Sequence, residues 1–320
     1  MLTREFRHFN TVNTVVADTQ NEGLLDEVVA LCDRYDQMFS RFNPASELFC
    51  VNEALRRGEG AKLSQELELV LQIALAYCEA TGGLFDITMG SVTRLWNMSR
   101  GIVPDSDKLA RALQQVGWEH LTIEDGYLRA TGTRPCLDLG GIAKGYIADR
   151  MLDLLEDGGS RHSLVNLGGN VAMRGGKPDE QTGDITPWRI GLREPVASSA
   201  TSPVRHFAVV SIESGSVVTS GVYERAFERD NTTYHHILSP KTGMPVPTDV
   251  LGATIISERS IDGDGYTTAL VAMGAEAAIN YAERVDGLEA VIVDTAGDVL
   301  ATTGVGTEKI GFTLATSTRP

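Results

Sequence analysis

The chain has 320 residues, which is enough for one large domain or two ordinary ones. Its 42% hydrophobic and 22% charged residues indicate a globular protein that can bury a core. The net charge of -15 argues against nucleic acid or an anionic membrane surface as the general partner. Any anionic substrate therefore needs a cation or a local basic site.

The cysteines and the N-terminal residues indicate the cellular compartment. Cys32, Cys50, Cys78 and Cys136 are far apart and form no C-x-x-C pair, so we expect reduced core residues and neither disulfides nor a zinc site. Residues 1–8 contain no apolar signal region and no cysteine for lipidation. No apolar run approaches the roughly 18 residues of a membrane span. We therefore expect a cytoplasmic protein without a membrane span, unless a leader has been removed.

Hydrophobic spacing in the first half of the chain predicts helices separated by short strands and turns. Ser64 and Asp105 are predicted helix N-caps because acidic residues or a proline accompany them. In chain order, the predicted elements are a strand over 12–17, a helix over 24–39, a helix from 64 to the glycines at 82–83, a helix from 105 to about 116, a hairpin over 121–129, and a helix that follows Gly140-Gly141 and ends near 155.

Apolar and β-branched runs in the second half predict mainly strands. In chain order, the predicted elements are strands over 163–167 and 188–192, a hairpin of 207–212 with 216–219, strands over 234–238 and 251–257, helices over 267–273 and 275–284, and a hairpin of 290–293 with 299–301. Polar segments at 175–183 and 197–202 are predicted loops. Together these elements predict one α+β domain over residues 1–320, with a mixed, mostly antiparallel sheet and helices packed on its faces.

The segment around Gly140-Gly141 is the first candidate site. Asp138 precedes the glycines, and Lys144 lies in the first turn of the helix that follows. Glycines allow close backbone approach, and a helix N-terminus attracts an anion through its free N–H groups and its dipole. This pattern predicts a phosphate or metal–phosphate site, although the spacing is not that of a Walker A loop. A tight strand-to-helix turn with a solvated lysine explains the same residues.

Arg225 and two adjacent histidines form the second candidate site. Arg225 follows the hydroxyls and glycine of 219–221, a combination that suits phosphate contacts, although a strand end with a surface arginine has the same sequence. His235 and His236 are neighbours on a strand, so their side chains point to opposite faces and do not ligate one metal in regular geometry. One of them can serve as a general base, whereas a structural role is the more frequent one for such a pair.

Asp264 and Thr268 form the third candidate site. Residues 262–265 resemble the start of a calcium loop, but no Glu occupies the twelfth position, which excludes an EF-hand. A helix that starts here presents Asp264 and Thr268, four residues apart, on one face. Their oxygens and a backbone carbonyl suit Mg²⁺ whose remaining ligands are substrate phosphates. An acidic helix N-cap is the alternative interpretation.

The order of these motifs along the chain is more specific than any one of them. The segments at 40–48, 81–88, 137–149, 165–169, 219–225, 236–245 and 264–268 together closely resemble the ApbE family of Mg²⁺-dependent FAD:protein FMN transferases. The resemblance extends from about residue 9 to residue 312. It implies the T-fold-like α+β architecture of that family. It also implies the family's reaction, in which the FMN half of FAD moves to a Thr or Ser hydroxyl of a partner flavoprotein, a phosphoester forms and AMP is released.

The resemblance also implies roles for individual residues. The expected contacts to FAD are made by Phe9, Phe42, Leu84, Phe85, Asp86, Asp138, Lys144 and Leu238. The expected Mg²⁺ ligands are the carbonyl of Gly141, Asp264 and Thr268, with Thr267 beside them. His236 is the predicted general base for the acceptor hydroxyl, and Asp264 is the competing candidate. Arg225 and Lys144 would add positive charge at the phosphates of FAD, which offsets the acidic character of the chain.

Two departures from the family pattern and two alternative functions remain. Phe9-Asn10-Thr11 replaces the usual Met-Gly-Thr, which changes the expected shape of the nucleotide pocket, and Ser239 replaces an aspartate before Pro-x-Thr-Gly. The acceptor pattern Ser/Thr-Gly-Ala-Ser/Thr is absent, so we expect the protein to modify a partner and not itself. A Mg²⁺-dependent FAD pyrophosphatase that gives FMN and AMP is the alternative enzyme. A FAD-binding module is the alternative without catalysis.

Overall fold

The computed structural model describes residues 1–179, 181–195 and 205–315, so the predicted loop at 197–202 lies outside the described residues. The helices are α1 (Glu22–Phe39), α2 (Glu47–Arg57), α3 (Gln65–Ala80), α4 (Gly90–Thr93), α5 (Ser106–Leu113), α6 (Ala143–Asp157), α7 (Ser260–Met273) and α8 (Ala275–Ala282), with 3-10 turns at Met98–Arg100 and Trp118–His120.

The strands of the described residues are short and numerous. They are β1 (Leu2–His8), β2 (Thr11–Ala17), β3 (Ala61–Lys62), β4 (Leu121–Glu124), β5 (Tyr127–Ala130), β6 (Ser163–Leu167), β7 (Asn170–Arg174), β8 (Lys177–Pro178), β9 (Ile185–Thr186), β10 (Trp188–Arg193), β11 (His206–Ile212), β12 (Gly215–Gly221), β13 (Ala226–Arg229), β14 (Thr232–His235), β15 (Val250–Ser257), β16 (Leu288–Asp294), β17 (Val299–Ala301) and β18 (Gly311–Leu314).

Contacts between residues divide the chain into two compact units. The first unit comprises Met1–Cys32, Lys144–Glu224 and Thr248–Pro320, and the second comprises Asp33–Ala143 and Arg225–Pro247. The prediction of one domain over residues 1–320 stays a prediction.

An eight-stranded sheet forms the centre of the first unit. Its strand order is β1-β2-β6-β7-β12-β15-β16-β17, and every neighbouring pair is antiparallel. The central strands β7 and β15 are buried at nearly every residue. Such strands have apolar residues on both faces, which means that both faces of the sheet are covered.

Two different layers cover the sheet of the first unit. Val217 of β12 belongs to an apolar cluster with Trp188 and Val210 of the three-stranded sheet β10-β11-β18. The next residue, Val218, faces α7, where a side chain at Gly263 would lie 2.4 Å from its Cγ2 atom. Neighbouring residues of a strand point to opposite faces. The first unit is therefore a helix layer, a large sheet and a small sheet.

The second unit is built mainly from helices whose ends have local signals. The Oγ atom of Ser46 accepts a hydrogen bond from the N–H of Phe49 at the start of α2, and Gly58 ends that helix in the left-handed conformation. The three-stranded sheet β3-β5-β4 and the hairpin β13-β14 complete the unit. An apolar cluster forms part of its core; its buried members are Met89, Val92, Trp96, Leu109, Ala112 and Leu238.

The fold class and most elements agree with the prediction from the sequence. The α+β class with mostly antiparallel pairing is confirmed, and within the described sheets every strand pairing is antiparallel. Ser64 and Asp105 are N-caps, as expected. The hairpins β4-β5 and β16-β17 are also confirmed. Several elements were not predicted, namely strands β1, β3, β7, β8, β9, β13 and β18 and helices α2 and α4, and β8 falls within the predicted loop at 175–183.

The predicted hairpin of 207–212 with 216–219 is wrong. Strand β11 pairs with β10 and β18, whereas β12 pairs with β7 and β15 in the other sheet. Only Glu213 and Ser214 separate the two strands. Gly215 has a φ of 122°, a conformation that favours glycine and that lets the chain pass between layers here.

Two smaller predictions also need correction. Helix α7 begins at Ser260, so Asp264 lies in its second turn and is not an N-cap. At Gly263 the helix needs a residue without a side chain, because Val218 is so close. The cysteines are free, as predicted, but Cys50 is exposed and Cys136 only partly buried, so these two are not core residues.

Candidate functional site

Asp264 is the buried carboxylate around which the site of the first unit is built. It lies on α7, and only 5% of it is exposed. Its Oδ2 atom accepts a hydrogen bond of 2.7 Å from the N–H of Gly145, in the first turn of α6. Its Oδ1 atom lies 3.7 Å from the Nζ atom of Lys144. One oxygen is thus fixed by the backbone, and the other faces a cation.

Helices α6 and α7 are in backbone contact at Gly145. A Cβ atom there would lie 2.4 Å from the carbonyl oxygen of Ser260 and 2.7 Å from the Cα atom of Ile261. Only glycine allows this approach, because real Cβ contacts are longer. The close contact brings the first turn of α6, with its free N–H groups, to the carboxylate of Asp264.

Hydroxyl groups continue the site along α7 and onto β12. Thr267 is 1% exposed, and its Oγ1 atom donates to the carbonyl oxygen of Asp264 at 3.4 Å. Ser220, on β12, donates to the same Oγ1 atom at 2.9 Å. Thr268 follows Asp264 by four residues and therefore shares its helix face. The first unit thus brings together Lys144, Asp264, Thr267 and Thr268, whereas their roles in binding FAD or Mg²⁺ stay predictions.

The oxygen atoms on α7 suit a magnesium ion that keeps water or phosphate ligands. No group of three or more His, Cys, Asp or Glu residues in the described part of the chain could hold a metal. A single oriented carboxylate with neighbouring threonine hydroxyls matches Mg²⁺, which is often bound through one or two carboxylates plus substrate phosphates. It does not match zinc, which prefers nitrogen and sulfur ligands. The Lys144 ammonium near Oδ1 would share that oxygen with the ion.

Asp138, in the second unit, is linked through Arg41 to one other predicted FAD contact, Phe42. Its Oδ2 atom accepts a hydrogen bond from Thr93 at 3.0 Å and lies 3.3 Å from the Nε atom of Arg41. Its Oδ1 atom accepts from the N–H of Gly140 at 2.9 Å, which shapes the turn before α6. The guanidinium carbon of Arg41 lies 4.5 Å from the ring centre of Phe42, which is 75% exposed. Asp138 therefore positions an arginine that covers an exposed aromatic ring.

Phe85 and Gly141 are also neighbours within the second unit. A Cβ atom at Gly141 would lie 3.1 Å from Cε2 of Phe85, so the ring packs against the glycine backbone. Leu84 is partly buried beside it. The resemblance implies that Leu84 and Phe85 contact FAD and that the Gly141 carbonyl binds Mg²⁺; the structure places Phe85 against Gly141, and both roles stay predictions.

Asp86 has internal partners for both carboxylate oxygens. Oδ1 accepts from the N–H and the hydroxyl of Thr88 at 2.7 and 2.6 Å, and Oδ2 accepts from the N–H of Trp118 at 3.3 Å. Burial raises the pKa of Asp86, and these hydrogen bonds lower it in part. Its visible role is to hold the segment around Trp118. A contact to FAD stays a prediction.

The two histidines differ in environment, but they are not neighbours on one strand as predicted, because β14 ends at His235 and His236 follows it in a bend. His235 is buried, and its Nε2 atom lies 3.2 Å from the carbonyl oxygen of Val246, which makes Nε2 the donor. Burial lowers the pKa of His235. His236 is only partly buried, and its N–H donates to the carbonyl oxygen of Arg225 at 3.1 Å. Arg225 is exposed. His236 and Arg225 are therefore neighbours, and His236 is the better placed to meet a substrate.

Leu238 and Phe9 are less clearly placed at a site. Leu238 is 8% exposed and packs in the apolar cluster of the second unit. Phe9, in the first unit, occupies the turn between β1 and β2 with a φ of 53°, and its ring contacts His8. For both residues, contact with FAD stays a prediction.

Two residues gained a role only from the structure. Arg41 is next to Phe42 in the sequence, and that adjacency was the available signal. Asp149 lies on α6, and its two oxygens accept hydrogen bonds from the N–H groups of Ser260 and Ile261 at 2.8 and 3.0 Å. Its sequence position gave no sign of this, because an aspartate in a helix is usually solvated.

None of the helices in the described residues has both the length and the apolar character needed to cross a bilayer.

The chain resembles known proteins over nearly its whole length. Residues 9–292 match the model described as the ApbE family. A protein of Treponema pallidum (strain Nichols) named FAD:protein FMN transferase is 33% identical over 295 residues, which cover 88% of this chain and 80% of that protein. One of Klebsiella pneumoniae (strain 342) with the same name is 31% identical over 288 residues, with coverages of 88% and 85%. The crystal structure of the ApbE protein from Thermotoga maritima matches with a TM-score of 0.82 at 27% identity and covers 95% of this chain and 98% of its own.

Proposed function

This chain belongs to the ApbE family, and we propose that it transfers the FMN moiety of FAD to a hydroxyl of a partner protein. The observation that carries the proposal is the family match over residues 9–292, which includes every predicted site residue. Relatives that bear the name FAD:protein FMN transferase at up to 33% identity support the same activity. The oriented Asp264 carboxylate beside Lys144 supports a site for a phosphate-bearing substrate.

In the proposed reaction, a Thr or Ser hydroxyl of the acceptor attacks the FMN phosphorus of FAD. A phosphoester bond forms, the pyrophosphate P–O bond breaks, and AMP leaves. The hydroxyl loses its proton during the attack, and His236 is the proposed acceptor of that proton because it is partly exposed and lies beside Arg225. Asp264 is less suited to this role, since Gly145 already holds one of its oxygens.

We propose that Asp264, Thr267, Thr268 and the carbonyl of Gly141 hold Mg²⁺. When bound, the ion supplies positive charge that neutralises the pyrophosphate and the departing AMP. Lys144 and Arg225 contribute further charge. For the nucleotide we propose contacts from Phe9, Phe42, Leu84, Phe85, Asp86, Asp138 and Leu238. The exposed ring of Phe42, with Arg41 over it, suits stacking on a flavin or an adenine.

The acceptor is proposed to be a flavoprotein with a Ser/Thr-Gly-Ala-Ser/Thr sequence, in the cytoplasm. Because this pattern is absent from the chain itself, self-modification is not expected. An acceptor domain with a single threonine in that pattern is the direct probe. Its Thr→Val variant is the matched control, because it keeps the shape of the side chain and lacks the hydroxyl.

The experiment incubates the protein with FAD, Mg²⁺ and the acceptor domain and follows the intact mass of the acceptor and the release of AMP. We expect a mass gain equal to one FMN less one water on the acceptor, in step with AMP, and no gain on the Thr→Val control. Free FMN at full rate without acceptor would instead establish the FAD pyrophosphatase. Bound FAD without any AMP would establish the binding module.

A further inference from the structure

We propose that Asp149 is a positioning residue of the transferase site, because from α6 it caps the first turn of α7 and thereby fixes the Asp264 carboxylate against Gly145. The activity part of this inference rests on the proposed function. The structural part stands on hydrogen bonds within the first unit alone.

Helix α7 lacks a cap of its own. Its N-cap residue is Arg259, whose side chain makes no capping hydrogen bond. The first N–H groups of a helix have no partner within it and need an acceptor. Asp149 supplies both acceptors, with 2.8 Å to the N–H of Ser260 and 3.0 Å to the N–H of Ile261. A carboxylate at this end also interacts favourably with the helix dipole.

The capping is reciprocal. Asp149 of α6 accepts from the first turn of α7, and Asp264 of α7 accepts from the N–H of Gly145 in the first turn of α6. Gly145 and Asp149 are four residues apart, and so are Ser260 and Asp264, so each helix contributes one donor turn and one acceptor turn. Two such contacts one turn apart restrict both sliding and rotation of one helix against the other.

The close contact between α6 and α7 leaves no room for α7 to shift without displacing Asp264. The backbones of α6 and α7 touch at Gly145, and protein interiors transmit small shifts because they are close-packed. If the first turn of α7 frays, Asp264, one turn later, loses its fixed distance to Gly145 and Lys144. Thr267 and Thr268 lie one turn after Asp264 on the same helix. The oxygen atoms proposed to bind Mg²⁺ would therefore shift together.

The environment of Asp149 makes its two hydrogen bonds to α7 depend on a carboxylate at this position. Burial raises its pKa to about 6, the hydrogen bonds from Ser260 and Ile261 lower it, Asp262 raises it and Arg259 lowers it. Asp149 therefore ionises less readily than an exposed aspartate, and its hydrogen bonds from Ser260 and Ile261 favour the charged form. An asparagine at this position keeps the shape but offers one acceptor oxygen for two N–H groups, and its NH₂ group opposes the other.

The test compares Asp149→Asn with Asp153→Asn in the full chain. Asp153 lies one turn further along α6, where it pairs with Arg150 and Arg174 instead of α7, so its variant removes the same charge from the same helix. Hydrogen exchange by mass spectrometry reports on peptides that cover 258–266 and 144–149. FAD turnover is measured while the Mg²⁺ concentration is varied. Asp149→Glu, which retains a carboxylate, tests rescue.

For Asp149→Asn we expect faster exchange in both peptides and an increase on the order of 10- to 100-fold in the Mg²⁺ concentration for half-maximal rate, with a smaller change in the KM for FAD. Asp153→Asn should resemble the wild type, and Asp149→Glu should recover part of the loss. A lower Tm with unchanged Mg²⁺ dependence and unchanged exchange at 144–149 would refute the positioning role and leave a simple structural cap.

If the wild type shows no transfer at all, the proposed function fails separately. In that case, hydrogen exchange at 144–149 and Mg²⁺-dependent FAD binding test the positioning role of Asp149. If Asp149→Asn changes neither, that role is refuted.

Discussion

Replacement of Gly145 by alanine tests how strictly the site depends on the contact between α6 and α7. The new Cβ atom would lie 2.4 Å from the carbonyl oxygen of Ser260, where ordinary contacts begin at 3.4 Å, so the backbones must separate by about 1 Å. Overpacking of this kind costs roughly 1–3 kcal/mol. Alanine recovers about 1 kcal/mol through its higher helix propensity. We therefore expect a net loss of stability of at most about 2 kcal/mol.

The expected loss of activity is larger than the loss of stability. A displacement of about 1 Å at a catalytic group can lower the rate on the order of 100-fold, and Asp264 would move with α7. Urea unfolding and FMN transfer are measured in parallel on Gly145→Ala and on Gly23→Ala. Gly23 lies in the first turn of α1, where a Cβ atom meets only the Oδ1 atom of Asn21 at 3.1 Å, so this control should be neutral or slightly stabilising. Gly145→Ala with wild-type transfer would contradict the argument that this contact positions Asp264.

Three further predictions concern single side chains. Asp264→Ala should reduce Mg²⁺-dependent FAD turnover at least about 100-fold, because it removes the oriented carboxylate. If this variant keeps turnover that depends on Mg²⁺, the assignment of Asp264 to the metal is wrong. His236→Ala should slow transfer on the order of 10²–10⁴-fold in steady-state assays, and near-normal transfer would assign the general base to another residue. His235→Ala should mainly lower the Tm, because it leaves the carbonyl of Val246 without its hydrogen-bond donor. Because burial raises the pKa of Asp149 above its unfolded value, the neutral form is favoured on folding, and the free energy of unfolding should fall as pH rises from about 4 to about 6. The contribution is at most about 3 kcal/mol and should be missing in Asp149→Asn; equal pH slopes in urea unfolding of both proteins would contradict it.

Local signals explain which parts of the fold the sequence predicted well. The cap residues Ser64 and Asp105 accept hydrogen bonds from N–H groups two or three positions away, so the neighbouring sequence contains the whole interaction. The turn at Asp125-Gly126, where both residues have positive φ, likewise determines the hairpin β4-β5 locally. Strand pairing across layers is different. Strands β11 and β12 look like a hairpin from their short connection, but their partners come from distant parts of the chain.

The candidate site shows the same division. The resemblance of the ordered motifs predicted site roles for Asp138, Lys144 and Asp264, and the structure shows Lys144 beside Asp264 within one unit. The resemblance did not predict that donors within the protein occupy both carboxylate oxygens of Asp86, because those donors depend on how the segment around Trp118 folds back. A motif therefore locates a functional residue more readily than it tells which of its atoms are already engaged.

Asp149 is the clearest case of information that only the folded chain contains. The residue stands on α6 among other charged residues, and its partners Ser260 and Ile261 are 111 and 112 positions away. No periodicity links these segments. What links them is the absence of a side chain at Gly145, which lets the two helices touch, so that each one places a carboxylate at the start of the other. Gly145→Ala and Asp149→Asn therefore disturb one contact from its two ends. Their effects on Mg²⁺-dependent turnover should then be less than additive in the double variant, whereas independent roles would give losses that multiply.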